Sequence, residues 1–176
     1  MRVNILYTAL LICVVGITSS FNTPVEKINW MTWEEAVARA SQDENPKKIF
    51  VDVYTDWCGW CKKMDKTTFG NMEVASYMTQ NFYMVKMDAE GKQDIVFKDK
   101  TYKFVPNGRR GYHELAATLL NGRLSYPSTV FLDEKVQIIT VVPGYQDANN
   151  FLKIAKYIGD DIFKGTTWQE YNKAGR

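Results

Sequence analysis

Apolar and polar positions recur along this chain with two different periods. Trp33, Ala36, Val37 and Ala40 fall at helical spacing behind Thr32-Trp33-Glu34-Glu35, which has the form of a capping box, so the pattern predicts a helix over about 33–42. Asn45-Pro46 ends it. Lys48-Ile49-Phe50-Val51-Asp52-Val53-Tyr54 is β-branched and aromatic with little alternation, which predicts a buried strand, central and parallel. A helix is expected to start near Cys58 and run through Met64, and Asn71 stands where it would cap another over 73–80. Phe82 to Met87 reads as a second strand ending at Asp88. Residues 89–111 form a polar, basic stretch broken by Gly91, Asn107-Gly108 and Gly111, read as an insertion in which 95–97 and 101–105 make a hairpin. Beyond it the pattern predicts a helix over 112–120 and two strands, 128–132 and 136–142, around Asp133-Glu134-Lys135. Asp147 is placed to cap a helix with Phe151, Ile154, Ala155 and Ile158 on one face, and a short helix follows around 168–172. Alternating helices and strands that close on a hairpin predict an α/β domain: a mixed central sheet with helices on both faces.

Composition narrows the picture. At 176 residues, 45% hydrophobic and 24% charged, the chain fits one globular domain with a sizeable core. A formal net charge of +2 with interspersed signs argues against a nucleic-acid partner or a membrane-binding patch. The N-terminus is different in kind. Arg2 precedes an apolar run from Ile5 to Ile17, and Thr18-Ser19-Ser20 supplies small residues, so residues 1–20 read as a signal peptide cleaved near Ser20, with 21–176 as the mature domain. The run is shorter than the roughly 20 residues of a spanning helix, so membrane contact would come only through an uncleaved signal. The mature protein is expected in the periplasm or secreted.

Signal removal takes Cys13 and leaves Cys58 and Cys61, three apart. In an oxidising compartment they can pair, and a bridge closing so short a loop restrains the unfolded chain little, so reactivity explains it better than stability. A thiolate is the attacking species in disulfide exchange, and Cys58 sits where strand gives way to helix, in the positive field of a helix start. Cys61, one turn on, would face the same side and be more buried, which suits a resolving thiol. Structural zinc would need two further N or S ligands, and the mature chain offers only His113, read as an ordinary polar residue near a helix start. No metal, cofactor or prosthetic group is implied.

The segment Val51-Asp52-Val53-Tyr54-Thr55-Asp56-Trp57-Cys58-Gly59-Trp60-Cys61-Lys62 resembles the active-site segment of the thioredoxin superfamily. With Thr68-Phe69 and Val85-Lys86-Met87-Asp88, the chain looks most like secreted bacterial thioredoxin-like proteins and the C-terminal domain of the thiol:disulfide interchange reductase, over roughly residues 30–160. The resemblance implies a thioredoxin fold with an insertion before its cis-proline half. It implies catalytic roles for Cys58, Cys61 and Asp52, the last as a buried proton acceptor for Cys61. It implies that Tyr126-Pro127 is the cis-proline loop and that Trp57, Gly59, Trp60, Tyr126 and Pro127 meet the substrate. Implied partners are protein disulfide or dithiol substrates and an upstream thiol electron donor. The chain departs from the family at two points. Trp60 stands where Pro is usual between the cysteines, and Met84 falls where many members carry a lysine near the buried acid, so different proton handling is expected. Gly59-Trp60 offers no positive charge to the thiolate, Asp56 would raise the pKa of Cys58, and Lys62 and Lys63 partly offset it, which leans toward a disulfide reductase. A disulfide isomerase or oxidase, and a non-catalytic thioredoxin-fold binding module, stand as the alternatives.

Overall fold

The structure, a computed structural model, describes residues 27–174. The signal-peptide segment over 1–20 lies outside these residues. The first helix, α1 (Trp33–Gln42), starts as its capping box requires: Thr32 accepts from the Glu35 N–H, and the Glu35 carboxylate accepts from the Thr32 N–H. Strand β1 (Lys48–Tyr54) follows, then α2 (Gly59–Met64), which runs into a π-helical turn over Asp65–Phe69. Helix α3 (Met72–Asn81) is capped by Asn71, whose side chain accepts from the N–H groups of Glu73 and Val74. It leads into β2 (Phe82–Asp88).

The insertion departs from expectation. Where one hairpin was predicted there are two: β3 (Ile95–Phe97) pairs with β4 (Lys100–Tyr102), and β5 (Phe104–Asn107) pairs with β6 (Arg110–His113). Lys98 and Asp99 turn the first at positive φ, and Gly108 helps turn the second. The predicted strand 101–105 is thus split at Lys103. Tyr112 and His113 belong to β6, so the next helix, α4 (Glu114–Leu119), is shorter than predicted. His113 caps it, its Nδ1 accepting from the Leu115 N–H. Strand β7 (Ser128–Leu132) matches the prediction. Strand β8 (Ile138–Pro143) begins two residues late because Val136 adopts positive φ inside the turn. The chain ends through α5 (Ala148–Gly159), capped by Asp147, a 3-10 turn at Ile162–Lys164, and α6 (Trp168–Ala174).

The four-stranded sheet has the order β2-β1-β7-β8. β1 runs parallel to β2 and antiparallel to β7, and β8 is antiparallel to β7, so the sheet is mixed, as predicted. β1 lies inside it and is buried on both faces, which accounts for its unbroken apolar run. Alternation sends Ile49, Val51 and Val53 to a core beneath α1 and α4, where they meet Trp33, Ala36, Leu115 and Leu119. Phe50 points to the opposite core with Met64, Val74, Met78, Phe131 and Phe151, under α2, α3 and α5. Helices therefore cover both faces. No described helix is long and apolar enough to cross a membrane.

Candidate active site

The parallel register of β1 and β2 builds the floor of the site. Asp52 lies two residues from Phe50 and so points to the same face, where its side chain is 2% exposed. Directly opposite on β2 is Lys86, whose Nζ is 3.3 Å from Oδ2 of Asp52. This corrects the expectation for Met84. Met84 pairs with Phe50, two residues away from the acid, and Lys86 supplies the basic neighbour. Lys86 also bonds Oδ1 of Asp65 at the head of the π-helical turn, and its ammonium lies 4.9 Å from the Trp30 ring and 5.2 Å from that of Tyr54. A π-helical turn is a feature often met at functional sites. Burial pushes the Asp52 carboxyl up to about 6, the Lys86 charge pulling against it and that of Asp65 adding to it. Oδ1 of Asp52 accepts no hydrogen bond from the described residues.

Cys58 and Cys61 are joined in a disulfide. Cys58 is the N-cap of α2, its Sγ accepting from the Cys61 N–H at 3.1 Å. Both are buried, Cys58 at 5% and Cys61 at 3%, so the expected contrast in exposure is slight in this oxidised form. The exposed surface belongs instead to the tryptophans beside them, Trp57 at 50% and Trp60 at 57%. Gly59 lies between, with open space where a Cβ would sit.

Each tryptophan is held by a tyrosine and a cation. The Trp57 ring meets Tyr126 edge-on at 6.0 Å, and the Arg110 guanidinium lies 4.1 Å from its centroid. Its Nε1–H donates to Oε1 of Glu90 at 3.0 Å. The Trp60 ring lies 5.3 Å from that of Tyr145, and the Lys63 ammonium sits 4.7 Å from Trp60 and 5.1 Å from Tyr145. The Tyr145 and Thr67 hydroxyls are 3.0 Å apart. Tyr126-Pro127 is a cis peptide. The loop it belongs to reaches the site through Tyr126, and the Pro127 carbonyl accepts the Gly144 N–H at 2.8 Å. Asp56, Asp88 and Glu90 make this rim acidic, and burial holds Asp88 above its ordinary value, the hydrogen bond from the Glu90 N–H pulling against it and the Asp56 and Glu90 charges adding to it.

Trp57, Gly59 and Trp60 thus flank the disulfide along the chain, Tyr126 reaches this segment through the Trp57 ring with Pro127 next to it in sequence, and Asp52 lies on β1, the strand that leads into it. Sequence reasoning did not single out Lys86, Glu90, Arg110 or Tyr145. Strand register would have found Lys86; the other three arrive through loops and the insertion, which carry no local signal for contact. Among the described residues no cluster of His, Cys, Asp and Glu could hold a metal ion. A cavity of about 520 Å³ opens between β8, α5 and α6, lined by Ile139, Val142, Ile154, Tyr157 and Trp168, away from the dithiol.

Comparison with known proteins agrees with this geometry. The thiol:disulfide interchange protein DsbD of Photorhabdus laumondii is 27% identical over 56% of this chain and 19% of its own length. The disulfide bond reductase DsbH of Chlamydia pneumoniae is 24% identical over 60% of this chain and 57% of its own. Other curated relatives are longer still, the chain spanning 13% of one and 9% of another. A solved thioredoxin-fold protein from Helicobacter pylori, 17% identical, superposes with a TM-score of 0.55 over 73% of this chain and 79% of that one, which identifies the fold. The family model Thioredox_DsbH, described as "Protein of unknown function, DUF255", matches residues 18–158. The chain belongs to this family of thioredoxin-fold proteins, with a Cys-x-x-Cys pair at 58 and 61 and relatives named for thiol–disulfide chemistry.

Proposed function

We propose that the protein is a secreted protein-disulfide reductase. The observation that carries this reading is the Cys58–Cys61 disulfide at a strand-to-helix junction, flanked by two half-exposed tryptophans. In the reduced form the Cys58 thiolate attacks a substrate disulfide, forms a mixed disulfide and expels one substrate thiolate, which takes up a proton. Cys61 gives its proton to Asp52 and attacks Sγ of Cys58, and the second substrate sulfur leaves as a thiolate that takes up the proton held by Asp52. The substrate gains two electrons and two protons, and the dithiol becomes the disulfide. An upstream thiol electron donor returns it to the reduced state.

Three features support the assignments. Cys58 occupies the N-cap, where free N–H groups and the helix field favour a thiolate. Asp52, with its carboxyl near 6, is ionised at neutral pH and can accept a proton. Trp57, Gly59, Trp60, Tyr126 and Pro127 line the rim where a substrate chain would lie, extended and in strand-like pairing. Secretion rests on the N-terminal apolar run and small-residue site in the sequence. Equilibration with glutathione buffers tests the direction: a reductase is expected well below the strong-oxidant end of about −120 mV, and a value there would overturn it. Insulin reduction and refolding of a scrambled substrate, run side by side, separate reductase from isomerase.

A further inference from the structure

The insertion 89–111 is not used by the thiol chemistry, yet both ends of it touch Trp57. Glu90, at its start, accepts the indole N–H at 3.0 Å. Arg110, at its end, lays its guanidinium 4.1 Å from the ring centroid. With Tyr126 edge-on, the indole is held at its nitrogen, at its π system and by a second ring. Such grips matter because Trp57 is half exposed, where a large side chain otherwise samples several rotamers.

The scaffold behind these two residues is fixed. Arg110 opens β6, and three residues on is His113, buried at the junction with α4. The His113 N–H donates to the Ala89 carbonyl at 2.6 Å, and its Nε2 lies 3.0 Å from the Gln93 carbonyl. The Glu114 N–H donates to the Lys103 carbonyl, and the Glu114 carboxylate accepts from the Lys103 N–H. The Glu90 N–H donates to the Asp88 carboxylate at the end of β2. Both grips on the indole therefore stand on backbone tied to the sheet. Arg110 enters none of the ion pairs among the described residues, and its guanidinium faces the Trp57 ring.

We propose that Glu90 and Arg110 are positioning residues for Trp57, through which the insertion fixes a rigid wall beside Cys58 and so sets how well a protein disulfide docks. This rests on the proposed disulfide exchange and on Trp57 meeting the substrate. The partner is an extended protein segment carrying a disulfide, which spans the rim; a small disulfide reaches the sulfur without that wall.

The test compares reduction of insulin with reduction of oxidised glutathione by the full chain, taking for each variant the ratio of the two kcat/KM values. Arg110→Ala and Glu90→Ala are expected to lower that ratio about 3- to 10-fold, through KM for insulin, the size that one lost cation–π contact or hydrogen bond supports. Arg110→Lys and Glu90→Gln, which keep a cation and an acceptor, should restore most of it. The Trp57 indole resonance in ¹H–¹⁵N spectra, assigned by its loss in Trp57→Phe, should shift upfield in Glu90→Ala and broaden in Arg110→Ala. If Trp57→Ala lowers the ratio and neither alanine variant does, the positioning role is wrong while the reductase reading stands. If Trp57→Ala also leaves the ratio unchanged, the wall itself is wrong. A wild-type chain that reduces neither disulfide would overturn the functional reading instead.

Discussion

At the residue scale the proposed proton transfer turns on Asp52 and Lys86. The folded carboxyl titrates near 6, above its ordinary value of 3.8, because burial disfavours the charged form more than Lys86 restores it. The folded state therefore holds this proton more tightly than the unfolded state does. The stabilisation is fully present below the unfolded pKa and is lost as pH rises through about 6. Asp52→Asn removes a buried charge that the wild type carries at pH 7, so it should be the more stable protein there, by at most about 3 kcal/mol. That gap should close toward pH 4, as measured by urea unfolding across the range. The same variant should lose turnover at neutral pH through slower resolution of the mixed disulfide. Lys86→Met removes the pull on the carboxyl, so the acidic limb of the pH–rate profile should move above 6. The burial of Asp52 was legible in the sequence through its place in a strand six residues before Cys58. Lys86 was not, because a neighbour across two strands is set by register. Met84 lies two residues before Lys86 on the same strand, which keeps the sheet face and changes the pairing partner to Phe50.

At the element scale, legibility followed local chemistry. The capping box at Thr32 and the caps at Asn71 and Asp147 mark their helices in the sequence as they stand in the fold. The buried strands β1 and β7 were equally plain from their runs of β-branched and aromatic residues. The insertion was not, since two short hairpins of three or four residues per strand give too little periodicity to separate from one. What organises it is His113, a residue that reads as unremarkable by itself. Its ring joins the insertion at Gln93 to the cap of α4. His113→Ala should cost about 1–3 kcal/mol, the size expected for losing a cap and a buried bond. The loss should be local. Amide exchange over 93–113 should speed up in ¹H–²H experiments while β1 and β7 keep their protection. Uniform loss across the sheet would show that the hairpins are part of the global folding unit rather than an attachment to it. Gly111 sets a second local limit, because a Cβ there would fall 2.2 Å from the Phe104 ring and 2.5 Å from the Val105 carbonyl oxygen. Gly111→Ala should therefore disturb the same segment.

At the scale of the whole molecule, the site depends on how firmly β1 is clamped between two cores. The face that carries Asp52 also carries Phe50, whose ring meets Phe131 at 5.1 Å, Phe151 at 5.5 Å, Phe69 at 5.8 Å and Trp30 at 6.4 Å. These partners come from β7, α5, the π-helical turn and the segment before α1, so one side chain ties together the elements that frame the dithiol. Phe50→Ala should cost about 3–5 kcal/mol, the usual range for emptying a buried phenylalanine site. For a chain of this length each kcal/mol lowers Tm by roughly 2–4 °C, so a drop on the order of 6–20 °C is expected in thermal melts of the oxidised protein. The functional consequence should follow the same geometry. Phe69 ends the turn that Asp65 begins, and Asp65 shares Lys86 with Asp52, so loosening this aromatic cluster frees the groups that set the Asp52 titration. Phe50→Ala, assayed well below its own Tm, should therefore broaden or shift the pH–rate profile as well as destabilise the fold. A melting shift below about 3 °C with an unchanged profile would show that the cluster packs beside the site without holding it.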